Sequence, residues 1–178
     1  ERRILLSRFA IGIAVARRRC DDRARIQPRL ITSSLRDGRI DLAQRGIPVL
    51  VLDDDNTVSV GSRAICYAKR TLEILDRLGC GEPIASKGVG WNVGKVYHGS
   101  ELAYTFDLLP ETGHHRPAFV NLQQYYLEES LVERVQSLAP AQIRWQHKVV
   151  GVEPGAESVR LRVATADGDY ALTCDWLI

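Results

Sequence analysis

The chain has 178 residues, of which 45% are hydrophobic and 26% are charged, values typical of an ordinary soluble globular protein. They exclude a collagen-like or intrinsically disordered chain, and this length allows a single domain to bury a sizeable core. The net charge of +2 conceals an asymmetry: residues 1–40 hold eleven arginines and four acidic residues, whereas the remainder holds thirteen basic and eighteen acidic residues.

Residues 1–40 form a basic leader for which three interpretations compete. Arginine-rich, acid-poor sequence that contains serine is typical of a transit peptide. A nucleic-acid-binding arm is also basic, but Phe9 is the only aromatic residue of the leader. We favour the third interpretation, that the leader is not native domain sequence, for example an out-of-frame join, because the chain lacks methionine and begins with Glu1. We expect neither a nucleic-acid partner nor a membrane segment, since the apolar run around Arg8 is far shorter than the roughly 20 residues of a membrane span.

From residue 41 the pattern is that of an α/β protein. The segment DLAQRG is typical of the last turn of a helix, with Gly46 at the C-cap position. The apolar run IPVLVL that follows predicts a parallel strand buried on both faces, and this strand ends at Asp53. In a Rossmann-type unit, an acidic residue at the end of the second strand, about 20 residues after the phosphate-binding turn, holds the ribose of a dinucleotide. Asp53 is therefore the first candidate nucleotide ligand.

A polar loop and an amphipathic helix come next. The helix is predicted to begin near Arg63, to bury a stripe that includes Ile65, Leu72 and Leu75, and to end at Gly79. Charged residues of this helix, Asp76 among them, are predicted to face outward. An arginine in the first turn opposes the helix dipole unless an anionic group is nearby. Two explanations of Arg63 therefore stay open, a solvated surface side chain or one that meets an anion.

Between residues 91 and 109 the hydrophobic period changes towards two, with Gly99 and Ser100 at the centre. This pattern predicts an antiparallel hairpin inserted into the α/β pattern, which could wall a ligand pocket. Short strands are again predicted after Pro140, with a hairpin turn at Asp167 and Gly168.

The helix between these two regions is predicted to begin at a capping box. Asn121 stands at the N-cap and Gln124 three residues later, so the local role of Gln124 is to cap its own helix. Glu128 and Glu129 follow, and a paired acid–base role is not expected because adjacent helical residues diverge by about 100°.

Neither a metal site nor a disulfide is predicted. The four cysteines are scattered without a CxxC pair, which is typical of reduced thiols in a cytoplasmic protein. The adjacent residues His114 and His115 would point to opposite faces of a strand, so they do not form a shared ligand pair.

Residues 41–178 resemble the FAD-binding part of the flavoprotein aromatic hydroxylases, the p-hydroxybenzoate and phenol hydroxylase family, and especially its 3-(3-hydroxyphenyl)propionate hydroxylase-like members. The segments that carry the resemblance are LAQRGIPVLVLDDD, GSRAICYAKRTLEILDRLG, NLQQYYLEESLVERV and the strand ending in DWLI. The resemblance implies an α/β fold, a partial Rossmann-like FAD-binding domain with an inserted antiparallel hairpin. We expect this domain to be a fragment truncated at its C-terminus.

The resemblance also implies a set of cofactor ligands. Asp53 takes the place of the acid that binds the ribose hydroxyls, and Arg63 that of an arginine near the pyrophosphate. Gln124 matches a glutamine that contacts the cofactor, and Val149 lies where the family's backbone meets the adenine. The implied cofactor is FAD, with NAD(P)H as reductant, O2 as co-substrate and a small aromatic substrate. No catalytic acid or base is assigned, because the flavin carries the chemistry.

The phosphate-binding turn departs from the family. The glycines of GxGxxG let the backbone approach the pyrophosphate, and they should fall near positions that hold Leu30, Thr32 and Leu35. We therefore expect this chain to bind FAD weakly or not at all, and to be inactive alone. Two alternatives remain, another FAD-linked oxidoreductase of this fold, such as a polyketide epoxidase, and a non-catalytic remnant or interaction domain. The sequence does not indicate an oligomeric state.

Overall fold

The described chain forms two compact units. The computed structural model describes residues 12–15, 36–58 and 65–177, with the backbone alone for 12–15 and 36–39. The first unit combines the described residues up to 58 with those from 132 onward, and the second comprises residues 65–131.

Strands and helices alternate irregularly along the chain. In order, the elements are β1 (Gly12–Val15), α1 (Arg36–Gln44), β2 (Val49–Leu52), β3 (Cys66–Ala68), α2 (Lys69–Leu78), α3 (Gly81–Lys87), β4 (Val89–Trp91), β5 (Val93–His98), β6 (Glu101–Asp107), β7 (Phe119–Asn121), α4 (Gln124–Gln136), β8 (Ala141–Arg144), β9 (Lys148–Pro154), β10 (Val159–Ala164), β11 (Tyr170–Cys174) and β12 (Trp176–Leu177). None of these helices is long and apolar enough to cross a lipid bilayer.

The first unit is built on a sheet with the strand order β12-β1-β2-β8. β2 and β8 run parallel, with Val49 opposite Ala141 and Leu52 opposite Arg144. β1 runs antiparallel to both of its neighbours, β2 and β12. The sheet is therefore mixed, and β2 has one parallel and one antiparallel neighbour.

Both faces of β2 are buried, as its continuous apolar sequence predicts. Leu50 and Leu52 belong to a cluster with residues of a three-stranded antiparallel sheet in the order β11-β10-β9. Val49 and Val51 pack on the other face with Ala43 of α1. Successive side chains of a strand point to opposite faces, so four consecutive apolar residues pack against the elements on both faces of the sheet. Removing all four from water makes β2 the centre of this unit.

The turn between α1 and β2 also agrees with its prediction. Gly46 has a φ of 73°, and the Ile47 N–H donates to the Leu42 carbonyl oxygen at 3.0 Å. This left-handed residue after the helix turns the chain so that a carbonyl of the last helical turn accepts a hydrogen bond from beyond the helix. The predicted C-cap is confirmed.

The second unit contains a sheet in the order β3-β7-β4, helices α2 and α3, and a separate hairpin of β5 and β6. Val93 lies opposite Asp107 and His98 opposite Glu101, so residues 99 and 100 form the connection. The predicted inserted hairpin is therefore confirmed.

The predicted start of α2 is wrong. Residues 66–68 form β3 and pair with β7, and the helix begins only at Lys69. Ile65 is 57% exposed and lies before the strand, so it is not part of the buried stripe. Pairing with a strand more than fifty residues away has overridden the local helical pattern, a tertiary effect that periodicity does not detect. The end of the helix at Gly79 is confirmed, because this residue is a left-handed C-cap with a φ of 79°.

The prediction that Asp76 faces outward is also wrong. Its carboxylate accepts two hydrogen bonds from Arg116, one of them from Nε at 2.9 Å, and Arg116 is only 6% exposed. The same guanidinium lies 3.0 Å from the Glu82 carboxylate. Hydrogen bonding by Arg116 holds the pKa of Asp76 below its ordinary value, and the pKa of Arg116 is raised in return. This ion pair ties the segment before β7 to α2.

The cysteines show no disulfide within the described part of the chain. Cys66, Cys80 and Cys174 are free, the first exposed and the other two buried, whereas Cys20 lies outside the described residues.

Candidate functional site

The carboxyl ends of β2 and β8 lie at the same edge of the first unit because these strands are parallel. The Asp53 N–H donates to the Arg144 carbonyl oxygen at 3.0 Å. In the opposite direction, the His147 N–H donates to the Asp53 carbonyl oxygen at 2.7 Å, and the Gln146 N–H donates to that of Asp55 at 2.9 Å. Backbone hydrogen bonds therefore join the two strand ends into one surface, where open α/β sheets bind ligands.

The turn after β8 contains one unusual backbone conformation. Gln146 has a φ of 60°, in the left-handed region that residues with a Cβ rarely adopt. Such a residue persists where surrounding contacts over-determine it. Here the N–H groups of Gln146 and His147 donate to backbone carbonyl oxygens of the loop after β2. These hydrogen bonds hold the strained turn and, at the same time, hold the loop that carries Asp53.

The Asp53 carboxylate is oriented by its own loop. Its Oδ1 accepts a hydrogen bond from the Asp55 N–H at 3.0 Å, and its side chain is 3% exposed. The neighbouring Asp54 lies 3.3 Å from the Lys148 ammonium, which partly compensates the charge of three successive acids. The backbone of the loop thus holds the buried carboxylate at the end of β2.

Val149 lies close to this edge in the chain. It is the second residue of β9, two positions after the His147 N–H that binds Asp53. Its half-buried side chain packs against the core cluster of Leu50 and Leu52. The structure therefore brings two of the four expected ligands, Asp53 and Val149, to the same edge of the first unit.

Gln124 belongs to the second unit, and its predicted capping box is wrong. Asn121 ends β7 and accepts a hydrogen bond from the Trp91 indole N–H at 3.0 Å, while Gln124 is the first residue of α4. Strand pairing takes Asn121 out of the N-cap position. The Gln124 side chain instead donates from Nε2 to the Glu128 carboxylate at 2.8 Å, and Glu128 is 1% exposed. Arg63 lies outside the described residues, and α2 begins at Lys69.

Sequence patterns missed one feature of each unit. The turn Trp145–His147 contains no glycine or asparagine to mark its left-handed residue. The burial of Glu128 was also missed, because a charged residue in a helix of mixed polarity is ordinarily exposed. A signal for Glu128 did exist, since Gln124 stands four residues earlier on the same helical face.

The other neighbour of β2 has the opposite direction. Gly12 of β1 lies opposite Leu52, and Val15 lies opposite Val49. The carboxyl end of β1 therefore lies at the amino end of β2, at the edge opposite the one that carries Asp53. A phosphate-binding turn follows a strand parallel to β2 and lies at its carboxyl edge. The three positions expected to carry its glycines lie outside the described residues.

Comparison with known proteins gives one family and several relatives. The model of the FAD binding domain matches residues 40–178. The chain is 29% identical over 140 residues to para-nitrophenol 4-monooxygenase from Pseudomonas sp. (strain WBC-3), an alignment that covers 76% of this chain and 34% of the relative.

Solved structures agree with this match. Similarity to p-nitrophenol 4-monooxygenase PnpA from Pseudomonas putida DLL-E4 has a TM-score of 0.72 at 28% identity, covering 79% of this chain and 36% of that one. For OxyS anhydrotetracycline hydroxylase from Streptomyces rimosus the TM-score is 0.65 at 25% identity, covering 82% and 29%. The chain thus spans about a third of the length of these proteins. The predicted α/β class and the resemblance found in the sequence are confirmed.

Proposed function

Since this chain belongs to the FAD binding domain family, we propose that it forms the adenosine side of an FAD site in a monooxygenase that hydroxylates aromatic compounds. In the whole enzyme, bound FAD would supply the redox chemistry, with NAD(P)H as reductant and O2 as co-substrate. The relatives named for p-nitrophenol support a small phenolic substrate. The observation that carries the proposal is the joined edge at Asp53.

The residues of this edge fit an adenosine. An ionised carboxylate accepts hydrogen bonds from both ribose hydroxyls, which suits Asp53 at the end of β2. Backbone groups at the start of β9, near Val149, would meet the adenine. The hydrogen bonds that join the ends of β2 and β8 hold these groups in place before a ligand arrives, which reduces the ordering cost of binding.

The pyrophosphate side does not fit. The antiparallel direction of β1 places its carboxyl end opposite Val49, at the edge away from Asp53, and Leu30, Thr32 and Leu35 stand near the positions where a close backbone approach requires glycines. Arg63 and Gln124 remain proposed contacts to the part of FAD beyond the adenosine. We expect FAD to bind with a Kd on the order of 0.1 to 1 mM, the range of a few hydrogen bonds without a phosphate cradle.

The difference between the adenosine side, which fits, and the pyrophosphate side, which does not, supports the proposal that residues 1–40 are not native domain sequence. The family match begins at residue 40, and β1, from the leader, runs against the direction that a Rossmann unit requires. The nucleotide sequence upstream of the codon for Asp41 checks this. A different frame that encodes a strand followed by GxGxxG supports the proposal, and three frames without one contradict it.

A fused aromatic substrate is the second candidate. The 25% identity to OxyS, which is named for anhydrotetracycline, favours a larger ring system of the polyketide type. The two candidates differ in the substrate and share the same proposed cofactor site.

The proposed role of Asp53 is tested by Asp53→Asn. The variant loses the ionised acceptor, so adenosine affinity measured by NMR titration is expected to fall about tenfold. Affinity for 2′,3′-dideoxyadenosine, which lacks both hydroxyls, should not change. Asp167→Asn, in an exposed hairpin turn that tolerates asparagine, is the matched control. Equal affinities of Asp53→Asn and the unaltered chain for adenosine would contradict the assignment.

A further inference from the structure

His147 closes the turn after β8, and its backbone lies directly beside Asp53. Its N–H donates to the Asp53 carbonyl oxygen at 2.7 Å, so its side chain starts from the edge at which an adenosine is proposed to bind. The residue is half-buried, and its ring makes an edge contact with Tyr170 at 5.8 Å between ring centroids. The contacts proposed for Asp53 and Val149 do not yet use this ring.

A local hydrogen bond determines which ring nitrogen of His147 can meet a ligand. Nδ1 lies 2.7 Å from the Trp145 carbonyl oxygen. A carbonyl oxygen can only accept, so Nδ1 carries the proton of this bond, and in the neutral ring Nε2 can only accept. Within the described part of the chain, the ring makes no other hydrogen bond. Nε2 is therefore an acceptor at the outer end of a ring whose orientation is fixed from its inner side.

An acceptor at this place selects among the groups of an adenosine. Within FAD the adenosine has two kinds of hydrogen-bond donor, the ribose hydroxyls and the 6-amino group of adenine, because its 5′-oxygen is esterified to phosphate. In the proposed function Asp53 accepts from the ribose hydroxyls. The 6-amino group is the donor that remains for Nε2. Since this group has two N–H bonds, it can also contact the backbone near Val149.

Support of the turn alone does not account for a histidine at this position. The bond to Trp145 uses only Nδ1. Asparagine is the more usual residue for a local hydrogen bond from a side chain to a turn, and its amide nitrogen lies about as far along the side chain as Nδ1. Imidazole adds a second nitrogen farther from the backbone, and the turn does not use it.

We propose that His147 is a specificity-determining residue of the adenosine side, whose Nε2 accepts a hydrogen bond from the 6-amino group of adenine. The inference rests on the proposed function, in which an adenosine lies at Asp53. A 6-oxopurine presents an oxygen that accepts hydrogen bonds where adenine presents a donor. Two acceptors repel each other, so this edge should favour 6-aminopurines over 6-oxopurines.

The test compares adenosine with purine riboside, which lacks the 6-amino group, by NMR titration of the complete chain. Imidazole changes its charge between about pH 5 and 8, so the titrations are run at about pH 8.5 to keep it neutral. His147→Asn keeps a donor for Trp145 and removes Nε2. The ratio of the purine riboside Kd to the adenosine Kd should therefore fall about fivefold, the effect of one hydrogen bond between neutral groups. His98→Asn, the same change in the exposed hairpin, is the matched control.

The ratio separates recognition of the amino group from support of the turn, because a variant that only loosens the edge weakens both ligands equally. His147→Gln gives up the bond to Trp145 but places an amide oxygen about as far out as Nε2, so it should retain most of the ratio. An unchanged ratio in His147→Asn overturns the inference, as does an equal fall in both variants.

The same titrations distinguish this inference from the proposed function. If Asp53→Asn weakens adenosine binding as predicted while the ratio is unaffected by His147→Asn, the inference alone is wrong. If the unaltered chain does not bind adenosine, the proposed function is contradicted and the inference falls with it.

Discussion

The two strands that pair with β2 run in opposite directions, so their carboxyl ends lie at opposite edges of the sheet. On one side β8 runs parallel, and the turn that follows it is bonded to the loop that carries Asp53. On the other side β1 runs antiparallel, so its carboxyl end, Val15, lies opposite Val49 at the other edge of the sheet. A nucleotide site in an α/β sheet needs both neighbours to deliver their following turns to one edge. In the proposed function, strand direction therefore leaves only the adenosine side of the cofactor site, a half-site, even though strand β2 and its acid are intact.

The largest expected effect comes from correcting the direction of β1. Residues 1–35 would be replaced by a strand that ends in a GxGxxG turn leading into α1. Backbone N–H groups at this turn would bind the pyrophosphate, so FAD affinity, measured by flavin fluorescence quenching, should rise by about a hundredfold or more. Adenosine affinity should stay within about threefold. The control is a turn of the same length in which the three glycines are changed to alanine. An equal rise in FAD affinity with this turn would contradict the explanation that the glycines allow the backbone to approach the pyrophosphate.

The ion pair of the second unit provides a stability reference that is independent of the half-site. Asp76→Asn leaves the buried Arg116 guanidinium poorly paired, and the free energy of unfolding near pH 7 should fall by about 2 kcal/mol. Adenosine affinity of the folded protein should not change. Urea unfolding measures the free energy of unfolding. Glu111→Gln, a charge change at an exposed site, is the control.

The same pair makes a prediction about pH. The pKa of Asp76 is lowered from its ordinary value of 3.8 by Arg116, so the folded state favours the ionised carboxylate. Its contribution to stability is therefore complete above pH 3.8 and is lost as the pH falls through the lowered pKa of the folded state. Asp76→Asn should show a smaller loss of stability in this acidic range. Parallel curves for the two proteins would show that the ion pair does not contribute.

The smallest effect is expected at the turn that supports Asp53. Gln146→Gly removes the Cβ that disfavours a φ of 60°, and the free energy of unfolding should rise by about 0.5–1 kcal/mol. Gln142→Gly, in the extended backbone of β8, should change it in the opposite direction by a similar amount, about 0.5–1 kcal/mol. Urea unfolding of both variants measures the difference. A loss of stability in Gln146→Gly would show that the turn is not strained.

Much of the first unit could be predicted from the sequence because its cues are local. The apolar run of β2 has four consecutive buried residues, and Gly46 terminates α1 in the conformation that its position predicts. The acid at the end of β2 is identified by position alone. Its support from the turn after β8 could not be predicted, because that support consists of backbone hydrogen bonds between segments about ninety residues apart.

Errors in the second unit have the same origin. Strand β3 pairs with β7, which takes residues 66–68 out of the predicted helix and Asn121 out of the predicted cap. Asp76 was assigned to the outward face because its partner, Arg116, is forty residues away. In each case a non-local partner decided the outcome, whereas local patterns correctly found the C-terminal ends of α1 and α2, the hairpin, and the burial of Leu72 and Leu75 in α2.

The most direct test of the half-site is the ratio of the FAD and adenosine dissociation constants of the unaltered chain, measured under one condition by NMR titration. We predict that both ligands bind and that FAD binds at most about tenfold more tightly, which leaves room for a Gln124 contact but not for a phosphate cradle. A micromolar Kd for FAD together with a ratio of about a hundredfold or more would contradict the account, as would the absence of adenosine binding.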